Sequence, residues 1–254
     1  MRRGLTRREV VLGGALTIGW LGPDLSCSCA ESQPRGCYFS KALSPDYFAK
    51  ASRARLFVTG KESVETNSGN KPLDFALAQA LAALAKTFSV LPGFAFYRDE
   101  DGENALATPE PLLERTDGTV LFGLAMLAHL LEEPDHPDAA IVSVCAHEFG
   151  HIVGYKTGLY DSLAPKDTSP FKAEQHADYL SGFFCGLRKL QKPDYPAVVF
   201  ATSLGNLGGT TRGTHGTKKE RGEAVAEGFK AAYELKLSVS DGIQSGYDFA
   251  MTRT

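Results

Sequence analysis

Apolar positions recur at helical spacing in DFALAQALAALAKTF, so residues 74–88 are predicted as an amphipathic helix with an acidic residue near its start. Short apolar runs at 93–97 and 105–108 flank the polar turn 98–104 and read as strands, with a third at 118–122. Helical spacing returns at 124–133 and stops at Pro134. A further helix is expected over 138–153, with Gly154 and Gly158 marking its end, then others over 172–190, closed by Pro193, and over 220–237. No internal repeat or long low-complexity linker interrupts this order. It predicts a single α+β domain, mainly helical, with a small β-sheet.

The first 72 residues break the pattern. Residues 1–30 hold a basic start (Arg2, Arg3, Arg7, Arg8), an apolar run over 10–21, and a polar end at Ser28-Cys29-Ala30. That order is expected of a signal peptide, and the run is too short for a comfortable membrane span. Thr6-Arg7-Arg8-Glu9-Val10-Val11 resembles a twin-arginine export signal, which points to a periplasmic or secreted protein and to no membrane span in the mature chain. Lipid anchoring through Cys27 or Cys29 ranks low, because the residues before them make a poor lipobox. Residues 31–72, rich in Ser, Pro, Gly and charge, read as an N-terminal extension with a loop at 66–72. Cleavage after Ala30 would leave Cys37, Cys145 and Cys185, enough for one disulfide of undetermined pairing.

Composition narrows the classes. With 43% hydrophobic and 22% charged residues, the chain is neither disordered nor a disulfide scaffold. The formal charge of −3 becomes −5 once the leader's four arginines and two acids are set aside. No basic stripe stands out, so nucleic acid is not an expected partner.

The candidate chemistry lies in Val144-Cys145-Ala146-His147-Glu148-Phe149-Gly150-His151-Ile152-Val153. H-E-x-x-H on a helix puts His147 and His151 on one face, a spacing suited to two ligands of Zn²⁺, with Glu148 about 100° round the axis as general base. The apolar flanks describe a buried helix, where two imidazoles and a carboxylate need partners. A third ligand is expected from Glu174 in Lys172-Ala173-Glu174-Gln175-His176-Ala177-Asp178, far enough downstream to fold back. Asp178, four residues on, shares its face and can accept the second N–H of a ligand histidine. His176 and Cys145 are each about 200° out of phase with the ligands, His176 pointing away and Cys145 in the core. His129 is expected to be a core or boundary histidine and His136 to be solvated. Tyr155 and Tyr160 are expected in the loop after the zinc helix.

In these segments the chain resembles the gluzincin metallopeptidases of the HtpX and CAAX-prenyl-protease type and their soluble relatives. His147 to His151 is similar to their H-E-x-G-H helix, and Glu174 to Asp178 to their E-x-x-x-D helix. Asn104-Ala105-Leu106-Ala107 and the segment from Gly118 resemble their N-A-F-A strand and G-x-I/V segment. Thr214-His215-Gly216-Thr217 with Arg221 resembles their S/T-H-P…R motif, with Gly216 in place of the usual proline. The resemblance implies a zincin-like domain over 73–254 with its sheet beside the H-E-x-x-H helix. It also implies one Zn²⁺ on His147, His151 and Glu174, catalysis by Glu148 with His215 at the oxyanion, and support from Asp178. Arg221 is read either as orienting His215, as pairing with an acidic neighbour, or as solvated. The implied reaction is endopeptidase cleavage of a peptide or unfolded protein, with the strand at 105–108 open to edge pairing by an extended substrate. The competing readings are a non-catalytic zinc-binding periplasmic module and a metal-dependent amidase acting on a non-protein amide.

Overall fold

A computed structural model describes residues 55–56, 68 and 70–254, apart from 98, 100–102, 112–113 and 212. The predicted leader, its cleavage site, Cys27, Cys29, Cys37 and most of the 31–72 extension lie outside the described residues.

Helix α1 spans Lys71–Phe88. It begins three residues before the predicted start, because the Asn70 side chain accepts from the Leu73 N–H and Pro72 fits the first turn, where its missing N–H costs nothing. Among the described residues four strands, β1 (Arg55–Leu56), β2 (Gly93–Tyr97), β3 (Ala105–Thr108) and β4 (Thr119–Gly123), form one sheet in the order β1-β2-β4-β3. β1 runs antiparallel to β2, β2 parallel to β4, and β4 antiparallel to β3. The three predicted strands are present, and β1 comes from the stretch read as extension. β3 lies at the edge of the sheet.

Helix α2 (Leu124–Leu131) leaves β4 with no connecting loop and no capping side chain of its own, its N-cap being Gly123. Asp99 supplies the cap from the β2–β3 turn. Its carboxylate accepts from the N–H groups of Ala125 at 2.7 Å, Met126 at 2.9 Å and Asn104 at 3.0 Å. A side chain at Gly123 would collide with that carboxylate, so the cap and the glycine belong together. α2 buries Met126, Leu127 and Leu130. His129 falls off that face, contrary to the core or boundary placement expected for it. Its ring is half exposed and pairs with Glu103 at 2.9 Å. His136 is exposed, as expected.

The remaining helices are α3 (Pro137–Thr157), α4 (Tyr160–Leu163), α5 (Phe171–Gln191), α6 (Ala197–Asn206), α7 (Lys218–Tyr233) and α8 (Val239–Thr252). α3 is buried from Ala139 to Gly154 save Val142, so it forms the centre of the core. α5 lies against α3, α7 and α8. The contacts are close where glycines remove side chains: a Cβ at Gly182 would run into the Val225 backbone, and one at Gly228 into that of Tyr179. α6 and α8 had no counterpart in the apolar pattern. α8 buries Gly242, Gly246 and Ala250 and packs Val239, Ile243 and Phe249, partly buried, against the core. The chain is thus mainly helical with a small sheet. Among the described residues no helix is long and apolar enough to cross a membrane.

Candidate metal centre

Helix α3 contributes His147, Glu148 and His151, and α5 contributes Glu174 and Asp178. The two helices can approach because residue 150 is glycine: a Cβ there would lie 2.8 Å from the Cα of Ala177. All five side chains are buried, at 3% exposure or less. His147 Nε2 stands 3.2 Å from His151 Nε2 and 3.2 Å from Glu174 Oε2, while His151 Nε2 is 3.5 Å from the same oxygen.

The hydrogen-bond chemistry behind this cluster runs through Arg221, near the start of α7. The guanidinium grips Asp178 with two bonds, Nε to Oδ2 at 2.9 Å and Nη2 to Oδ1 at 2.7 Å. Burial opposes a charge on Asp178, yet Arg221 and His147 outweigh it and hold the carboxyl below its ordinary range. Ionised, Asp178 can only accept, so His147 Nδ1, 2.7 Å away, carries the hydrogen and donates it. In the neutral ring Nε2 is then a bare lone pair aimed at His151 and Glu174.

Neither oxygen of Glu174 has a hydrogen-bond partner, although each is shielded from solvent. Burial disfavours its charge, but the neighbouring charges of His215 and His151 pull the carboxyl well below its usual range. One ligand atom each from His147, His151 and Glu174 lies within 4.8 Å of the others. Converging lone pairs repel unless a proton or a cation sits among them. With protons alone, burial would lower His147, but Asp178 and Glu174 outweigh it and raise the imidazole to about 10. A metal ion would replace that proton. The buried trio can therefore hold a metal ion, and two imidazoles with one carboxylate form the donor set of an open site.

Glu148 does not belong to the trio. Its Oε2 has no partner, and burial raises its carboxyl above the ordinary range, with His147 and His151 drawing it back in part. His215 reaches the centre from the segment before α7. Its Nε2 is 3.5 Å from Glu174 Oε2 and its Nδ1 3.0 Å from Thr214 Oγ1, and it keeps 27% exposure. Gly216 follows it at φ +91°, a conformation closed to proline, and a Cβ there would lie 2.8 Å from the Phe171 ring. This accounts for glycine where the resembled motif has proline.

Other expectations sort by geometry. His176 is buried and faces α8, where a Cβ on Gly246 would lie 3.2 Å from its ring, and burial lowers its imidazole to about 4. Cys145 is a core thiol, and Cys145 and Cys185 are both free. Arg221 is buried and pairs with Asp178, the second of the alternatives open for it. Tyr155 and Tyr160 are not in a loop. Tyr155 occupies the last turns of α3, which continues to Thr157, and its hydroxyl donates to the Ala107 carbonyl on β3 at 3.4 Å. Tyr160 opens α4, its ring centroid 6.3 Å from that of His151. The capping role of Asp99 was missed because it depends on a helix 25 residues away, and nothing local signals it.

No protein-family model, no curated protein and no solved structure matches the chain. The chemistry of the centre rests on its own residues.

Proposed function

We propose that the chain is an exported zinc metalloendopeptidase with a zincin-like arrangement of α3 and α5. The observation that carries this reading is the convergence of His147 Nε2, His151 Nε2 and the Glu174 carboxylate in one buried cluster, with the unused carboxylate of Glu148 beside them. Two nitrogens and one oxygen suit Zn²⁺ and leave its fourth position open. Zinc bound there supplies Lewis acidity toward a scissile carbonyl and lowers the pKa of a water.

The chain's own residues do the rest. Asp178, clamped by Arg221, holds the His147 tautomer and ring orientation. Glu148 takes the proton from the attacking water and passes it to the leaving amine, a task suited to a carboxyl that burial raises above its ordinary range. His215 donates to the oxygen on which charge develops, and loss of such a donor costs about 2.7–4 kcal/mol of transition-state stabilisation. The edge strand β3 offers backbone hydrogen bonds to an extended peptide independent of its sequence. Export through a twin-arginine signal and action in the periplasm, on peptides or unfolded proteins, complete the proposal.

Glu148→Gln is the direct test. Zinc content near one per chain with loss of peptide hydrolysis supports the reading. Retained hydrolysis, or a wild-type chain that binds zinc and cleaves no unfolded protein, sinks it, the latter in favour of a non-catalytic zinc module.

A further inference from the structure

Gln175 follows the candidate ligand Glu174 on α5 and is fully buried. Neither its amide nitrogen nor its amide oxygen has a hydrogen-bond partner. A buried amide left so destabilises the conformation that holds it, and so it points to a partner acquired in another state. The direction is given by Gly216: a Cβ there would stand 3.4 Å from Gln175 Nε2, so the amide faces the backbone that carries His215. Residue 216, glycine at φ +91°, puts no side chain of its own in that space, which the Phe171 ring and Glu220 Oε2 also border. The segment is closed at its base by the Gly209–Thr217 bridge and by the Thr217–Glu220 capping box, and residues 213–216 lie between these ties.

We infer that Gln175 is the positioning residue for His215. In the structure His215 Nε2 rests 3.5 Å from Glu174 Oε2. With Glu174 engaged by a metal held on His147, His151 and Glu174, that contact of His215 would weaken. The neighbouring amide then takes over: its N–H donates to a backbone carbonyl of 214–216, or its oxygen accepts a backbone N–H. The imidazole is held over the site, where it can donate to substrate. Gln175 touches no reacting atom and acts only through His215. The role assigned to His215 rests on the proposed function, whereas the anchoring of the segment by Gln175 on metal binding does not.

The test uses the full chain, with and without zinc, as wild type, Gln175→Met, His215→Ala and the double variant. Methionine keeps the volume and removes both hydrogen-bonding atoms. The metal-free Gln175→Met protein is expected to melt about 2–4 °C higher than wild type, the buried unpaired amide being gone. Zinc should slow amide hydrogen exchange across residues 213–217 in wild type and leave it unchanged in Gln175→Met, with zinc stoichiometry the same in both. In turnover, Gln175→Met should lower kcat by about 10- to 100-fold with KM within about twofold. The double variant should be no slower than His215→Ala. Equal zinc-dependent protection in wild type and Gln175→Met overturns the inference, as does additive loss in the double variant. A wild type without peptidase activity that still shows the exchange difference removes the proposed function and keeps the anchor. Should Gln175→Met fail to fold, Gln175→Leu carries the same exchange comparison.

Discussion

Three side chains from three helices, His147, Asp178 and Arg221, share one buried set of hydrogen bonds, and their value lies in what each does to the next. Asp178 remains ionised at 0% exposure because Arg221 binds both its oxygens and His147 faces one of them. Removing the cation leaves a buried carboxylate short of a partner, and Arg221→Met is expected to cost about 3–5 kcal/mol in urea unfolding. Asp178→Asn keeps the shape but weakens the acceptor facing His147 Nδ1. Zinc affinity measured against a competing chelator should fall about 10- to 100-fold, with the fold retained. An unchanged affinity would detach Asp178 from the metal centre. Away from the centre, burial pushes the Cys185 thiol up to about 12, with Lys189 drawing it back slightly. The folded chain then keeps its proton where the unfolded chain has lost it. This contribution to stability is complete below about pH 9 and declines as the pH rises toward 12, and Cys185→Ala should flatten that part of a pH series of melting temperatures. The candidate ligand pair His147 and His151 was legible in the sequence, because four residues on a helix fix a shared face. The burial of Arg221 was not, because an arginine on a helix reads alike whether solvent or Asp178 faces it.

Between elements, the distance from α3 to α5 decides whether the ligands meet. Two glycines on α3, one turn apart, make opposite predictions. Alanine at 150 would press its Cβ to 2.8 Å from the Ala177 Cα and force the helices apart, so Gly150→Ala should cost about 1–3 kcal/mol and weaken zinc binding as well. Alanine at 154 would meet Tyr160 at 3.7 Å, an ordinary contact, and lower the entropy of the unfolded chain, so Gly154→Ala should stabilise by about 0.4–1 kcal/mol and leave zinc binding intact. Thermal melts and zinc titrations on the pair separate helix spacing from a general dislike of substitution in α3. Helices α1, α3, α5 and α7 were legible from apolar spacing. What was not legible in α8 is its close approach to α5, where Gly242 and Gly246 leave room for Phe183 and Tyr179. The two-residue strand β1 owes its place to pairing with β2, which no local pattern announces.

For the whole molecule, a metal held by the buried trio would join α3 to α5 in the core and act as a ligand of the native state alone. At free zinc 100-fold above Kd the expected stabilisation is about 2.7 kcal/mol, and adding a chelator should lower the melting temperature by about 5–10 °C, reversibly on restoring zinc. A melt indifferent to both chelator and zinc would mean that the buried trio holds no metal. By itself the sequence determined the helical character of the chain, the three main strands and the spacing of His147, Glu148 and His151, because these depend on neighbours within a few residues. It also identified Glu174 and Asp178 as a pair one turn apart. The tertiary structure decided what those groups face. It laid α5 against α3 at Gly150, set Arg221 under Asp178, brought His215 to within 3.5 Å of Glu174 Oε2, and left the Gln175 amide buried beside Gly216. Each of these joins residues far apart in the chain, and only packing fixes such distances, because local periodicity sets the face a side chain occupies and says nothing of what lies across from it.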